Sequence, residues 1–305
     1  MQLVHIGMNV MTKPDVVFAP SSLPIPNQNR NSKEMTKEDI LRIENSFAEA
    51  ALRAKKAGFD GVEIHAAHFY LVSEFLSPLF NKRNDEYGGS DENRARFLVE
   101  IINKVREKVG KDYIVGIKIN SEDGDKNGIT EEGFITACLM AEKAGIDFIQ
   151  ISGIRWLSER TKTPIYAEAG IKLSQKLKIP IIVTAGARNV DELNEILNKS
   201  NIQYFGIVRP LICESNIVKR WKHGDTKKSK CKSCNACLFT TLGECIFNQK
   251  KCDIGTAESA PFQSIEMGGY KVTYLPDGEG YTIPSLSYHG STEEDWKNLK
   301  QYLHF

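Results

Sequence analysis

Net charge is almost missing from this chain: Lys and Arg number 40 and Asp and Glu 39, which leaves a formal +1. No overall field therefore draws it to nucleic acid or to an anionic membrane. Long apolar runs are missing too, and no stretch approaches the length that spans a bilayer. The N-terminus lacks the basic-then-apolar order of a secretory signal. These absences predict a cytoplasmic protein with neither a membrane nor a nucleic-acid partner. No GxGxxG follows a strand-like segment, which weakens a dinucleotide-binding open sheet.

What is present is ordinary in bulk. The 305 residues are 41% hydrophobic and 26% charged, as in globular proteins generally. The order along the chain says more. Thr36 reads as an N-cap, with Asp39 as the carboxylate of a capping box, for an amphipathic helix to about Lys56 that Gly58 stops. Gly61 to His65 is a short apolar strand. Ser90 caps a helix carried by Asn93 to Val109, and Tyr113 to Asn120 (YIVGIKIN) is a buried strand. A helix from Thr130 to about Ala144 precedes a strand at Asp147 to Ser152. A helix over Ala167 to Leu177 then precedes a strand at Pro180 to Thr184, and a helix over Asn189 to Leu197 one at Gln203 to Val208. Ile- and Val-rich strands that alternate with helices imply parallel pairing with helices outside, as in a (β/α) barrel. A doubly wound open sheet is the runner-up. Five strands are clear and Leu3 to Ile6 makes a sixth, whereas a closed barrel needs eight. Residues 7–35, rich in Asn, Pro and Ser, read as a loop.

The chemistry concentrates at His65, His68 and Tyr70. If His65 ends a strand, two imidazoles sit at the barrel mouth, where they can donate to a carbonyl or nitro oxygen and draw negative charge onto it. Tyr70 can deliver a proton to a developing carbanion. Taken alone, the pair is better read as solvated loop histidines than as a site, and a metal pair is disfavoured because no third ligand has an obvious place. A second concentration lies at the cysteines. Five of the seven fall between Cys231 and Cys252, which in a chain without a signal peptide favours metal or redox work over disulfides. Cys231, Cys234 and Cys237 form C-x2-C-x2-C, a spacing that suits an iron–sulfur cluster, with structural zinc as the rival and free thiols as the plain alternative. Cys138 and Cys213 fall in helical segments and are expected to be buried and inert.

The stretch SPLFNKRNDEYGGSDENRARF (Ser77 to Phe97), with VEIHAAHFYL before it, closely resembles the signature of the old yellow enzyme family, the FMN-dependent NADH:flavin oxidoreductases. The resemblance extends over roughly residues 1 to 252. It implies a TIM (β/α)8-type barrel that is incomplete, because Gln2-Leu3-Val4-His5-Ile6-Gly7 looks like the third strand and the first two β/α units are absent. It implies that Gln2 hydrogen-bonds the flavin ring and that Lys118 places a cation near the N1–C2=O edge. Gly186, Ala187, Val208 and Arg209 fall at the phosphate-binding end, with Val208 where the family usually has glycine. His65 and His68 would bind the acceptor oxygen and Tyr70 would protonate the substrate. Phe69 replaces the usual small residue between His68 and Tyr70. Arg83, Asp85, Gly88, Gly89, Ser90, Asn93 and Arg94 would be scaffold.

The larger relatives, resembling 2,4-dienoyl-CoA reductase and trimethylamine dehydrogenase, carry a [4Fe–4S] cluster at the cysteine run. Cys245-IFNQKK-Cys252 reproduces their x6 gap, so Cys245 is the expected fourth ligand beside Cys231, Cys234 and Cys237. After Cys252 the β/α rhythm ends. Tyr270 to Leu275 alternates like a strand, Asp277-Gly278 signals a turn, and Thr292 to Leu303 reads as a capped helix. The tail faintly resembles the opening strands of metallo-β-lactamase-like hydrolases but lacks an HxHxDH motif. Three segments are expected: a partial FMN-binding barrel at 1–222, a Cys-rich segment at 223–252 and a tail at 253–305. The implied activity is hydride transfer from NAD(P)H through FMN to a small activated alkene. The alternatives are a non-catalytic remnant, and an iron–sulfur or zinc interaction protein. Open strand edges would favour a homo-oligomer or a partner that supplies strands.

Overall fold

The computed structural model describes residues 1–10, 14–25, 28–154, 164–233, 237, 245, 264–267 and 270–273. They fall into two units: residues 1–185 with 195–206, and residues 186–194 with those from 207 onward. In chain order the elements are β1 (Gln2–Leu3), β2 (Phe18–Ala19), β3 (Lys33–Glu34), α1 (Lys37–Lys56), β4 (Gly61–Ala66), α2 (Leu71–Leu76), α3 (Asp91–Val109), β5 (Ile114–Asn120), α4 (Glu131–Lys143) and β6 (Phe148–Ser152). They continue with α5 (Ala167–Ser174), β7 (Ile181–Thr184), α6 (Val190–Lys199), β8 (Tyr204–Gly206), α7 (Arg209–Cys213), α8 (Ile217–Lys222), β9 (Ser264–Met267) and β10 (Tyr270–Thr273).

In the first unit six strands join in the order β1-β4-β5-β6-β7-β8, every neighbouring pair parallel. These are the six strands legible in the sequence, in the architecture of a (β/α)8-type barrel. Among the described residues, no strand pairs outside β1 or β8. The helices start where their caps are. Thr36 Oγ1 accepts the Asp39 N–H at 3.1 Å, and the Asp39 carboxylate accepts the Thr36 N–H at 3.3 Å. Ser90 Oγ accepts the Asn93 N–H at 3.2 Å. The buried side chains Ile40, Ile43, Phe47, Ala51 and Ala54 of α1 recur at helical spacing.

Alternation along the strands separates two faces. Ile64, Ile117 and Ile149 lie in register and are fully buried. One residue on, His65, Lys118 and Gln150 lie in register on the opposite face. Gln2 and Glu63 share that face at the next line toward the strand N-termini, and Asn120 and Ser152 at the line toward the C-termini. The sheet thus presents a polar face above an aliphatic one.

The 7–35 region is less loop-like than expected. It holds the parallel β2–β3 pair and a second small core of Met8, Val17, Ala19 and Ile25. Pairing β10 antiparallel to β9 confirms a strand at Tyr270 but places its partner upstream. The expected turn at Asp277-Gly278, the helix at Thr292 to Leu303, and Cys234 and Cys252 lie outside the described residues. Among those described, no helix is long and apolar enough to cross a membrane.

Candidate active site

β4 ends at Ala66, and the chain then reverses sharply. His68 and Phe69 both take left-handed backbone, with φ of 59° and 57°. For residues other than glycine this costs roughly 1–3 kcal/mol each and persists only where the surroundings impose it. Here they do. The His68 N–H donates to Asn120 Oδ1 at 3.0 Å, the Tyr70 N–H donates to Ala67 O at 3.2 Å, and the Phe69 ring tilts against Phe80 at 5.1 Å between centroids. The reversal stacks the three expected side chains. His65 meets His68 edge-on at 5.0 Å and Tyr70 edge-on at 4.9 Å.

Both imidazoles are neutral at physiological pH. Burial and the nearby Lys118 ammonium lower His65 to about 4. Burial, then His65 and Lys118, lower His68 to about 3. A neutral imidazole carries one N–H, so each can donate one hydrogen bond and accept one. His65 Nδ1 accepts the Ala67 N–H at 3.2 Å, which places the proton on Nε2. His68 Nε2 lies 2.8 Å from Ser152 Oγ. The Tyr70 hydroxyl has no hydrogen-bond partner among the described residues and is free to act on a substrate.

Lys118 stands beside His65 in the sheet. Burial pulls its ammonium below the usual lysine range while Glu63 pulls it back up. Among the described residues it makes no hydrogen bond or ion pair, so a half-buried cation is left without a direct anion. That fits the anionic ring edge of a reduced flavin. The Gln2 amide donates to Glu63 Oε2 at 2.5 Å. Binding a ring there requires that contact to open or to be shared.

In the second unit, Gly186 has φ 86°, a conformation in which a side chain would be strained. Neither Gly186 nor Ala187 donates its backbone N–H to another described group. Arg188, which the sequence reading passed over, is buried, donates to Ser233 Oγ at 2.5 Å, and is disfavoured as a cation by burial and by Arg209. Unspent N–H groups and two neighbouring guanidiniums form a donor set suited to phosphate. Val208 is 67% exposed and precedes α7, so its side chain does not fill a core.

The cysteines are only partly visible. Cys231, Cys237 and Cys245 are described and reduced. Among the described residues, no three His, Cys, Asp or Glu side chains are arranged to hold a metal. Cys213 is buried as expected but is not isolated. It shares a hydrogen bond with Cys245, and burial together with Cys245 and Cys231 pushes its thiol up to about 12.

The structure brings the rings of His65, His68 and Tyr70 into contact and sets Lys118 beside His65 in register. The sequence reading missed Asn120 and Ser152, whose only signal is a polar residue closing each of two strands whose one face already carries Lys118 and Gln150.

The chain matches the family model for the NADH:flavin oxidoreductase / NADH oxidase family over residues 1–228. It is 34% identical over 259 residues to an NADH oxidase of Thermoanaerobacter brockii, covering 81% of this chain and 39% of that protein. It is 44% identical over 151 residues to an NADPH dehydrogenase of Geobacillus thermodenitrificans, covering 50% of this chain and 44% of the relative. The chain therefore spans less than half the length of these relatives. Among solved structures, the old yellow enzyme homologue from Zymomonas mobilis superimposes with a TM-score of 0.61 at 24% identity, over 76% of this chain and 69% of that one. That likeness concerns the fold.

Proposed function

The chain belongs to the NADH:flavin oxidoreductase / NADH oxidase family, and from that premise we propose an FMN-dependent enzyme that draws on NADH or NADPH and reduces an activated alkene or a similar small acceptor. The observation that carries this reading is the neutral His65–His68 pair stacked with Tyr70 on the sheet face that bears Lys118. When bound, FMN supplies hydride transfer between the nicotinamide and the acceptor.

The chain's own residues do the rest. His65 and His68 donate to the acceptor oxygen and stabilise the charge that grows there during reduction. Tyr70 supplies the proton that completes it. Lys118, in register with His65, would favour negative charge on the ring, and Gly186, Ala187, Arg188 and Arg209 are suited to the phosphate. Cys231, Cys234, Cys237 and Cys245 are the proposed ligands of a [4Fe–4S] cluster. The C-x2-C-x2-C spacing supports this assignment, as does the influence of both Cys245 and Cys231 on the same neighbouring thiol, Cys213. The open strand edges support a homo-oligomer or a partner that completes the sheet, and the near-neutral charge a small-molecule substrate.

Titration of the flavin-free full chain with FMN, followed by flavin fluorescence, tests the reading. Saturable uptake in about the micromolar range is expected, with Lys118→Met weakening it about tenfold, or 1.4 kcal/mol. A soluble chain that takes up no FMN would end the flavin reading. Metal analysis separates the cluster from its rival, since zinc without iron removes the cluster and leaves the flavin proposal intact.

A further inference from the structure

The two imidazoles can act on one oxygen only if each presents an N–H to it, and each has a single proton to present. For His65 the backbone settles the matter. Its Nδ1 accepts the Ala67 N–H, so Nε2 carries the hydrogen. For His68 the question is which way the 2.8 Å contact with Ser152 runs. Ser152 is 4% exposed, so its hydroxyl hydrogen needs an acceptor within the protein. His68 Nε2 is the only one it reaches among the described residues. The hydroxyl therefore donates, Nε2 accepts, and the proton of His68 resides on Nδ1.

We propose that Ser152 is a positioning residue: its hydroxyl fixes the Nδ1–H tautomer of His68, so that His65 Nε2–H and His68 Nδ1–H form a matched pair of donors for one acceptor oxygen. The alternative tautomer would turn a lone pair of His68 toward an oxygen that gains negative charge. Asn120 completes the arrangement, because its Oδ1 holds the His68 backbone N–H at 3.0 Å and its Nδ2 is tied to Asp123 at 3.2 Å. Asn120 and Ser152 are register partners on β5 and β6. Adjacent strand ends thus fix the backbone and the ring of the same histidine.

The inference rests on the acceptor-oxygen role proposed above, and its test separates the two. Long-range 1H–15N spectra of the full chain, labelled at histidine and assigned by loss of signals in His68→Asn, report each tautomer directly. His68 is expected as Nδ1–H in the wild type and in Ser152→Thr, and as mainly Nε2–H in Ser152→Ala. The FMN-loaded Ser152→Ala protein is expected to bind 4-nitrophenolate, used as an oxyanion probe, about tenfold more weakly than wild type, with FMN affinity unchanged. Rescue by Ser152→Thr distinguishes the hydroxyl from mere filling of space. A wild-type His68 in the Nε2–H form, or a Ser152→Ala tautomer identical to wild type, overturns the proposal. A wild type that binds no FMN yet holds His68 as Nδ1–H removes the oxidoreductase reading and leaves the tautomer assignment standing.

Discussion

His65 and His68 are expensive residues to bury, and the cost has a sign that can be measured. Their folded pKa values lie at about 4 and about 3, below the ordinary 6.5. As pH falls below 6.5 the unfolded chain takes up protons that the folded chain refuses, so stability falls with falling pH. The slope is up to about 1.4 kcal/mol per pH unit for each imidazole. It flattens only once the folded groups themselves protonate. His68→Asn is expected to show a shallower loss between pH 6.5 and pH 4 in denaturant melts. An unchanged slope would mean that His68 is already charged in the folded protein. The identities of these residues were legible in the sequence because imidazole, imidazole and phenol at the end of a strand have no packing purpose. Their protonation states were not, since those depend first on burial and then on Lys118 from another strand.

At the scale of elements, α1 and α3 pack through an interface that is not wholly apolar. Glu44 on α1 is 3% exposed, lies 4.0 Å from Lys104 and shares a hydrogen bond with Glu100 of α3. Glu100 in turn accepts from the Tyr87 hydroxyl at 2.9 Å. Burial first, then Glu100, raises the Glu44 carboxyl to about 8, against the pull of Lys104. A carboxyl raised on folding takes up a proton as the chain folds, so its contribution falls as pH climbs from about 4.5 to 8. Glu44→Gln removes that dependence. Relative to wild type it should gain on the order of 3–4 kcal/mol between pH 5 and pH 8, read from urea midpoints at the two pH values. Equal midpoint shifts at both would show that Glu44 is ionised in its buried place.

Caps and periodicity made α1 and α3 legible to within about two residues. The helix α2 escaped the same reading. All six of its residues are buried and its N-cap, Tyr70, makes no side-chain cap bond, so neither an apolar stripe nor a start signal marks it. The little sheet of β2 and β3 escaped because two-residue strands carry no alternation.

For the whole molecule, the decisive fact is that among the described residues the parallel sheet has two edges, β1 and β8. The sequence carried this in its strand count, because each strand of a parallel sheet is a separate Ile- and Val-rich run. It could not say what meets those edges. Tyr204 on β8 is 58% exposed, and an unpaired strand with an exposed aromatic is a template for another chain. Tyr204→Lys is expected to weaken self-association of the isolated chain about tenfold, or 1.4 kcal/mol, in sedimentation equilibrium. A wild-type chain that stays monomeric at every concentration would remove β8 as an associating edge.

The two anchors of His68 also say something about when the site comes into being. The bond to Asn120 spans 52 residues of chain and the bond to Ser152 spans 84. Contacts between positions so far apart in sequence close late, because the intervening loop entropy must be overcome first. Until β5 and β6 have docked, the left-handed turn at residues 68 and 69 lacks its hold on the His68 N–H and ring and keeps only the local Tyr70–Ala67 bond and the Phe69–Phe80 contact. The donor pair is thus among the last features a refolding chain acquires. Its appearance reports that three consecutive strands have found their register, and a kinetic intermediate that lacks β6 would lack the Ser152 anchor of the His68 ring.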